Sequence, residues 1–242
     1  MEDQVTAKAA IELRDVSVRL GGRVVLQDID LSIPQLRVAL VGRNGSGKST
    51  LGRVMKGLIR PDSGQVSVHG LDPAARSFEA LSVAGYLFQN SDHQILCPSV
   101  LEEISFGLRE NGWSRAEAET ESLELMKCHG IGDWDARAVA SLSEGQRRLV
   151  CLLAILVMTP RALILDEPFT GLDIPTHRRL ETFIAELPQQ VVTISHEPDA
   201  LWQYDRVIWL EEGCLKADGT PEQVLPGFLD AMQSAAEGRG AW

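Results

Sequence analysis

Gly42-Arg43-Asn44-Gly45-Ser46-Gly47-Lys48-Ser49 decides how this chain is read, because it satisfies the spacing G-x-x-x-x-G-K-[ST] in full. In front of it runs Val38-Ala39-Leu40-Val41, a short continuous apolar stretch of the kind that forms a buried strand. Behind it Leu51, Val54, Met55, Leu58 and Ile59 recur at helical spacing up to Arg60-Pro61. A strand, a glycine-rich turn and a helix in that order turn backbone N–H groups inward around an anion and aim a helix N-terminus at it. Gly42, Asn44, Gly45, Ser46, Gly47, Lys48, Ser49 and Thr50 are therefore the expected phosphate contacts. Lys48 would reach the β- and γ-phosphates, and the Ser49 hydroxyl would ligate Mg²⁺.

Outward from the loop, the chain alternates between strand and helix patterns. Ile11, Leu13, Val16, Val18 and Leu20 alternate up to Gly21-Gly22, and Val25, Leu26, Ile29, Leu31 and Ile33 follow before Pro34, which predicts an N-terminal hairpin. Residues 65–68 and 85–88 read as further strands. From about Ser91 to Val139 strand patterns vanish, and helices are expected over 100–108 and 114–126. The alternation returns with a strand at 162–165, a helix at 175–187 and a strand at 191–194. A hairpin over 206–217 and a helical tail from Pro221, frayed from Gly238, complete the reading. The expectation is an α/β core with an antiparallel N-terminal part and a helical insertion near the middle.

Composition bounds the function. With 242 residues, 44% apolar and 24% charged, the chain can bury a substantial core. A net charge of −11 argues against broad nucleic-acid binding, which needs a basic face. The most apolar run, residues 149–158, is half the roughly 20 residues a membrane-spanning helix needs. The acidic Met1-Glu2-Asp3-Gln4 start, with no apolar run after it, gives no sign of a secretory signal. Cys97, Cys128, Cys151 and Cys214 lack metal-ligand spacing and read as free thiols of a reducing compartment.

Two further segments carry chemistry. Leu163-Ile164-Leu165-Asp166-Glu167-Pro168 is a buried strand ending in two carboxylates, at the edge where α/β sheets place ligands. Asp166 would hold Mg²⁺, directly or through water, and Glu167 would polarise the attacking water as base or positioner. Alone, such a pair equally caps a turn; the phosphate loop in the same chain favours the catalytic reading. Leu142-Ser143-Glu144-Gly145-Gln146 opens an apolar helix with the spacing of a capping box, Ser143 at the cap and Gln146 three residues on. The box leaves Gly145 unexplained, since glycine in a first turn costs stability unless something approaches closely. A second anion site on that helix terminus is the functional reading.

The phosphate loop, Gln89, LSEGQ, LILDEP, Thr170-Gly171-Leu172-Asp173 and His196, in one order over residues 11–220, resemble the nucleotide-binding subunit of an ATP-binding cassette (ABC) transporter. The resemblance implies a single P-loop domain, with core at about 11–90 and 146–220, a helical subdomain at 91–145 and a tail from 221. It implies that Ser143, Glu144, Gly145 and Gln146 form the signature that completes the partner's ATP site in a head-to-tail dimer, formed with a second copy or a similar ATPase. Asp173 would sit in the loop crossing that interface. Gln89 would contact Mg²⁺ or water and report movement of a membrane partner, and His196 would hold the γ-phosphate. Two positions depart from the pattern. Glu144 stands where the family usually has glycine, and Val18-Arg19-Leu20 stands where an aromatic residue commonly stacks on adenine.

Residues 88–95 and 98–107 resemble the energy-coupling-factor importers of prokaryotes, which take up vitamins or cobalt and nickel ions. That resemblance implies a transmembrane coupling protein and a substrate-binding membrane protein as partners, at the cytoplasmic face of the membrane. Phe106-Gly107-Leu108, in place of Phe-Gly-Pro, tilts the reading towards a vitamin such as biotin. Asp92, Glu102 and Glu103 fall where the coupling groove is expected. Glu102 and Glu103 equally suit a first helical turn after Pro98-Ser99. A cytosolic cassette scaffold, or the ATPase of another ABC importer or exporter class, remains the alternative; a DNA-acting cassette would need a coiled-coil insertion and a basic surface that this sequence lacks.

Overall fold

The computed structural model describes residues 10–237; the acidic N-terminus and the chain end from Gly238 lie outside the described residues. Strands β1 (Ile11–Leu20) and β2 (Arg23–Ile33) pair antiparallel across Gly21-Gly22. Both glycines have positive φ, 56° and 80°, as the primed two-residue hairpin turn requires. Next come β3 (Arg37–Val41), the glycine-rich loop and α1 (Lys48–Lys56), and then β4 (Ser63–Val68) returns to the free edge of β1. The N-terminal sheet is thus β2-β1-β4, antiparallel throughout.

Helix α1 ends before the apolar spacing does. Gly57 adopts the left-handed conformation, its N–H donates to the Val54 carbonyl, and the Leu58 N–H donates to the Arg53 carbonyl. That closes the helix at Lys56 rather than at Arg60-Pro61 and leaves Leu58 half exposed. A short helix that the sequence pattern does not announce, α2 (Phe78–Val83), precedes β5 (Ala84–Leu87).

Between Ser91 and Leu142 the regular elements are helical: α3 (Val100–Glu110), α4 (Arg115–Cys128) and short 3₁₀ turns. Ser99 and Ser114 cap α3 and α4, the latter in a full capping box with Glu117. Ser143 caps α5 (Glu144–Leu156), followed by β6 (Ala162–Asp166), α6 (Ile174–Glu186) and β7 (Gln190–Ile194). Strands β8 (Arg206–Glu211) and β9 (Cys214–Gly219) form the last hairpin before α7 (Pro221–Glu237).

The second sheet runs β5-β6-β7-β3-β8-β9, parallel apart from the edge strand β9. Its strands β3, β6 and β7 are buried on both faces, which explains why they read as continuous apolar runs. One core joins the N-terminal sheet to α1 and this sheet, with Ile11, Leu26, Leu51 and Ile164 among its members. A second lies under α3, α5 and α6, and a third under α7. No helix among the described residues is long and apolar enough to cross a membrane.

Candidate active site

Adjacent parallel strands β5, β6, β7 and β3 deliver Gln89, Asp166-Glu167, His196 and the Gly42–Ser49 loop to one edge of the sheet. Leu40 pairs with Ile194, and Ile194 with Asp166, so the carboxyl ends of these strands lie level. That is the edge at which open α/β sheets bind ligands. A pocket of about 390 Å³ there is lined by Asn44, Gly45, Lys48, Ser49, Gln89 and Glu167, among others.

Glycine is required in the loop. A Cβ on Gly42 would lie 2.1 Å from the Leu210 carbonyl oxygen, and Gly47, at φ 101°, would meet the Val25 carbonyl oxygen at 2.9 Å. Gly47 caps α1, which begins at Lys48. The Lys48 ammonium is buried and donates to the carbonyls of Gly42 (2.8 Å) and Arg43 (2.9 Å). Burial lowers its pKa from the ordinary lysine value, and the nearby charges of Glu167 and Asp166 partly offset this. The Ser46 hydroxyl is buried without a hydrogen-bond partner.

Asp166 is buried between two hydroxyls. Ser49 Oγ donates to its Oδ1 at 3.0 Å and Tyr86 Oη to its Oδ2 at 2.7 Å. Burial, then the Asp166 charge, push the Tyr86 pKa far above the ordinary phenol value, so Tyr86 remains a donor. The side-by-side hydroxyl and carboxylate fit a hard cation such as Mg²⁺. No cluster of three His, Cys, Asp or Glu side chains occurs among the described residues. A cation here would therefore keep water and phosphate oxygens as most of its ligands, as Mg²⁺ does. Glu167 Oε2 lies 2.6 Å from His196 Nδ1, and Thr170 Oγ1 is 3.4 Å from the same oxygen.

Ser143–Gln146 do not line this pocket. Ser143, Gly145 and Gln146 open instead onto a cleft shared with His129, Trp134 and Thr176. The capping box is present: Ser143 Oγ accepts from Gln146 N–H, and the Gln146 side chain accepts from Ser143 N–H. The close approach that Gly145 permits is intramolecular, since a Cβ there would lie 2.2 Å from Thr176 Cγ2 of α6. Close packing against α6 is thus one reason for the glycine, separate from the anion site expected there. Gly145→Ala should destabilise the fold by roughly 1–2 kcal/mol, overpacking outweighing about 1 kcal/mol of helix propensity. Thr176→Ser in the same background should recover most of it. Urea unfolding checks this; a more stable Gly145→Ala variant would contradict the packing account.

Asp173 caps α6, its carboxylate accepting from the Thr176 N–H at 2.8 Å, and that bond lowers its pKa. The acidic trio does not form a common surface, which corrects the expected acidic groove. Glu103 is buried and accepts from the N–H groups of Leu96 (2.8 Å) and Cys97 (2.7 Å), fixing the loop before α3. Glu102 accepts from the capping Ser99 hydroxyl, and exposed Asp92 lies 4.0 Å from Arg147.

The family profile described as ABC transporter matches residues 26–170. The chain belongs to the ABC transporter family. It is 44% identical over 227 residues to the biotin transport ATP-binding protein BioM of Rhodobacter capsulatus, covering 94% of this chain and 97% of the relative. To the energy-coupling factor transporter ATP-binding protein EcfA of Methanothermobacter thermautotrophicus it is 34% identical, covering 91% and 73%. Among solved structures, cbiO1 of Clostridium perfringens, part of the ABC transporter complex cbiONQ, superposes with a TM-score of 0.78 at 27% identity, covering 90% and 91%.

As an ABC transporter ATPase the chain hydrolyses ATP, and its fold is that of the family's nucleotide-binding domain. Among the described residues no aromatic side chain lines the phosphate-loop pocket; Val25 is its apolar member beside the loop. Two residues of this ABC site escape sequence reasoning. Tyr86 needed the pairing of β5 with β6 to reach Asp166, and Arg148 signals itself only as a charge four residues after Glu144 inside an apolar helix.

Proposed function

We propose that the chain powers micronutrient import through an energy-coupling-factor transporter, biotin being the first candidate and cobalt or nickel ions the second. The biotin-transport name of the Rhodobacter relative supports the vitamin, and cobalt or nickel stays the alternative that the sequence resemblance implies. In this reading ATP lies on Gly42–Thr50, with Lys48 on the β- and γ-phosphates. Ser49 and Asp166 would hold Mg²⁺ with help from Gln89, and it would supply positive charge beside the phosphates. Glu167 orients and deprotonates the attacking water, and His196 contacts the γ-phosphate while fixing the Glu167 carboxylate.

The observation that carries the dimeric part is the separation of the signature from the phosphate loop. Ser143, Gly145 and Gln146 open onto a different cleft from the one lined by Gln89, Lys48 and Glu167, so within one chain they do not face the phosphate-loop pocket. A head-to-tail dimer, with a second copy or a similar ATPase, brings the signature of one protomer to the ATP of its partner and passes Asp173 across the interface.

The transmembrane coupling protein would dock where α1, α2, β5 and α5 leave an apolar groove lined by Leu58, Leu81, Tyr86, Phe88, Ile155 and Met158. Leu58 and Leu81 are 52% and 60% exposed, and β5 joins this groove to Gln89 and, through Tyr86, to Asp166. The occupant would be a coupling helix that buries apolar residues against Leu58 and Leu81. The chain would then act peripherally, at the cytoplasmic face of the membrane, beside a separate substrate-binding membrane protein.

Leu81→Arg should abolish co-purification with the membrane partners while ATP binding by the isolated subunit survives. Intact assembly with Leu81→Arg would move the docking surface elsewhere. If no small integral membrane protein copurifies with the wild-type chain either, a cytosolic scaffold would replace the transport reading.

A further inference from the structure

Arg148 is one of the largest fully buried side chains of the molecule, at 2% exposure. A buried guanidinium needs charged or carbonyl partners, because leaving it unpaired is strongly destabilising. It has two. Nη2 donates to Glu144 Oε1 at 3.1 Å, one turn earlier on α5, and Nη1 donates to the main-chain carbonyl of Glu167 at 3.1 Å.

The second partner matters because of the backbone it holds. Glu167 has φ 52°, a left-handed conformation that a non-glycine residue adopts only when its surroundings enforce it. Its N–H donates to the Ile194 carbonyl at 2.9 Å, and Arg148 takes its carbonyl. The peptide is clamped on both sides, and the direction of the side chain follows from that clamp. His196 then meets the carboxylate at 2.6 Å.

Glu144 anchors the other end. Its Oε1 also accepts from Ser91 Oγ at 2.8 Å, and its Oε2 from Arg147 Nη2 at 2.8 Å. Burial opposes its charge, yet the hydrogen bonds from Arg147, Ser91 and Arg148 outweigh it and hold the carboxyl below its ordinary pKa. Ser91 lies two residues beyond Gln89, so one connected set of polar groups runs from the Gln89 segment through the signature to the Glu167 peptide. A glycine at position 144 would leave the Arg148 guanidinium without its carboxylate, a reason for the glutamate that stands there.

We propose that Arg148 is a positioning residue for hydrolysis: held by Glu144, it fixes the strained Glu167 peptide and thereby aims the Glu167 carboxylate at the attacking water. This rests on Glu167 being the water-activating group. The test compares wild type, Arg148→Met, Arg148→Lys, Glu144→Ala, Glu144→Gln and Glu167→Gln as full-length chains, in ATP turnover and equilibrium ATP binding, normalised to folded binding sites. Arg148→Met should lower kcat at least about tenfold, as misplacement of a reacting group does, with ATP affinity changed by less than about threefold. Arg148→Lys should recover part of the rate, since an ammonium can reach one of the two acceptors. Glu144→Ala should lower kcat severalfold, and Glu144→Gln, whose side-chain oxygen can still accept from Arg148, should recover most of that loss; this pair serves if Arg148→Met does not fold. Unchanged kcat in both Arg148→Met and Glu144→Ala, with Glu167→Gln inactive, overturns the positioning role alone. Equal losses of turnover and ATP binding in Arg148→Met would reduce Arg148 to a structural residue and overturn it too. A fully active Glu167→Gln removes both this role and the one it rests on.

Discussion

Glu167→Gln is expected to remove nearly all ATP turnover and leave ATP binding intact. The amide is isosteric, and its oxygen can still accept from His196 Nδ1, now 2.6 Å from Oε2, but it cannot take a proton from water. Loss of a positioned general base costs about 10²–10⁴-fold in rate. Nucleotide affinity should survive, because in the proposed site the loop, Lys48 and the terminus of α1, rather than Glu167, would hold the phosphates. With hydrolysis blocked and binding retained, the ATP-bound dimer should persist and elute as a dimer in ATP-containing buffer. Steady-state turnover within about twofold of wild type would reject this role for Glu167.

Lys48→Ala should act one step earlier, on binding itself. The ammonium sits at the mouth of α1, bonded to the Gly42 and Arg43 carbonyls and within reach of the pocket. Its charge-assisted contacts to phosphate oxygens are lost in the variant, at about 1.5–3 kcal/mol, or an increase in Kd for ATP of roughly 10–150-fold. Titration with a fluorescent ATP analogue reads this directly. Equal affinity in the variant would mean that the phosphates are held elsewhere.

The parts of the fold that could be read from sequence are those whose signal is local. Val38–Val41, the glycine loop and the apolar face after Lys48 form strand, turn and helix because each is bounded by its own residues, and Gly21-Gly22 carries its hairpin the same way. Helix α1 overran in the reading because Leu58 and Ile59 continue the helical spacing, while the left-handed Gly57 decides the end. Helix α2 has Phe78 and Leu81 exposed, so no apolar face announces it.

In the site, the residues with sequence spacing of their own were legible, and those that act by tertiary contact were not. Tyr86 reaches Asp166 only through the parallel register of β5 and β6, and Arg148 reaches the Glu167 carbonyl only because α5 packs on the sheet at β5, the neighbour of β6. Glu103 stands in the first turn of α3, one of its two expected places, but is buried there, because the loop at Leu96-Cys97 folds back over α3 and needs an acceptor for its N–H groups.

The most direct test of the whole account is ATP-driven uptake. The chain is copurified with its membrane partners, reconstituted into vesicles with ATP on the side of the ATPase, and offered radiolabelled biotin, cobalt and nickel in turn. The account predicts uptake of one of these that requires ATP and disappears with Glu167→Gln. ATP hydrolysis by the reconstituted complex with no accumulation of any of the three would contradict it.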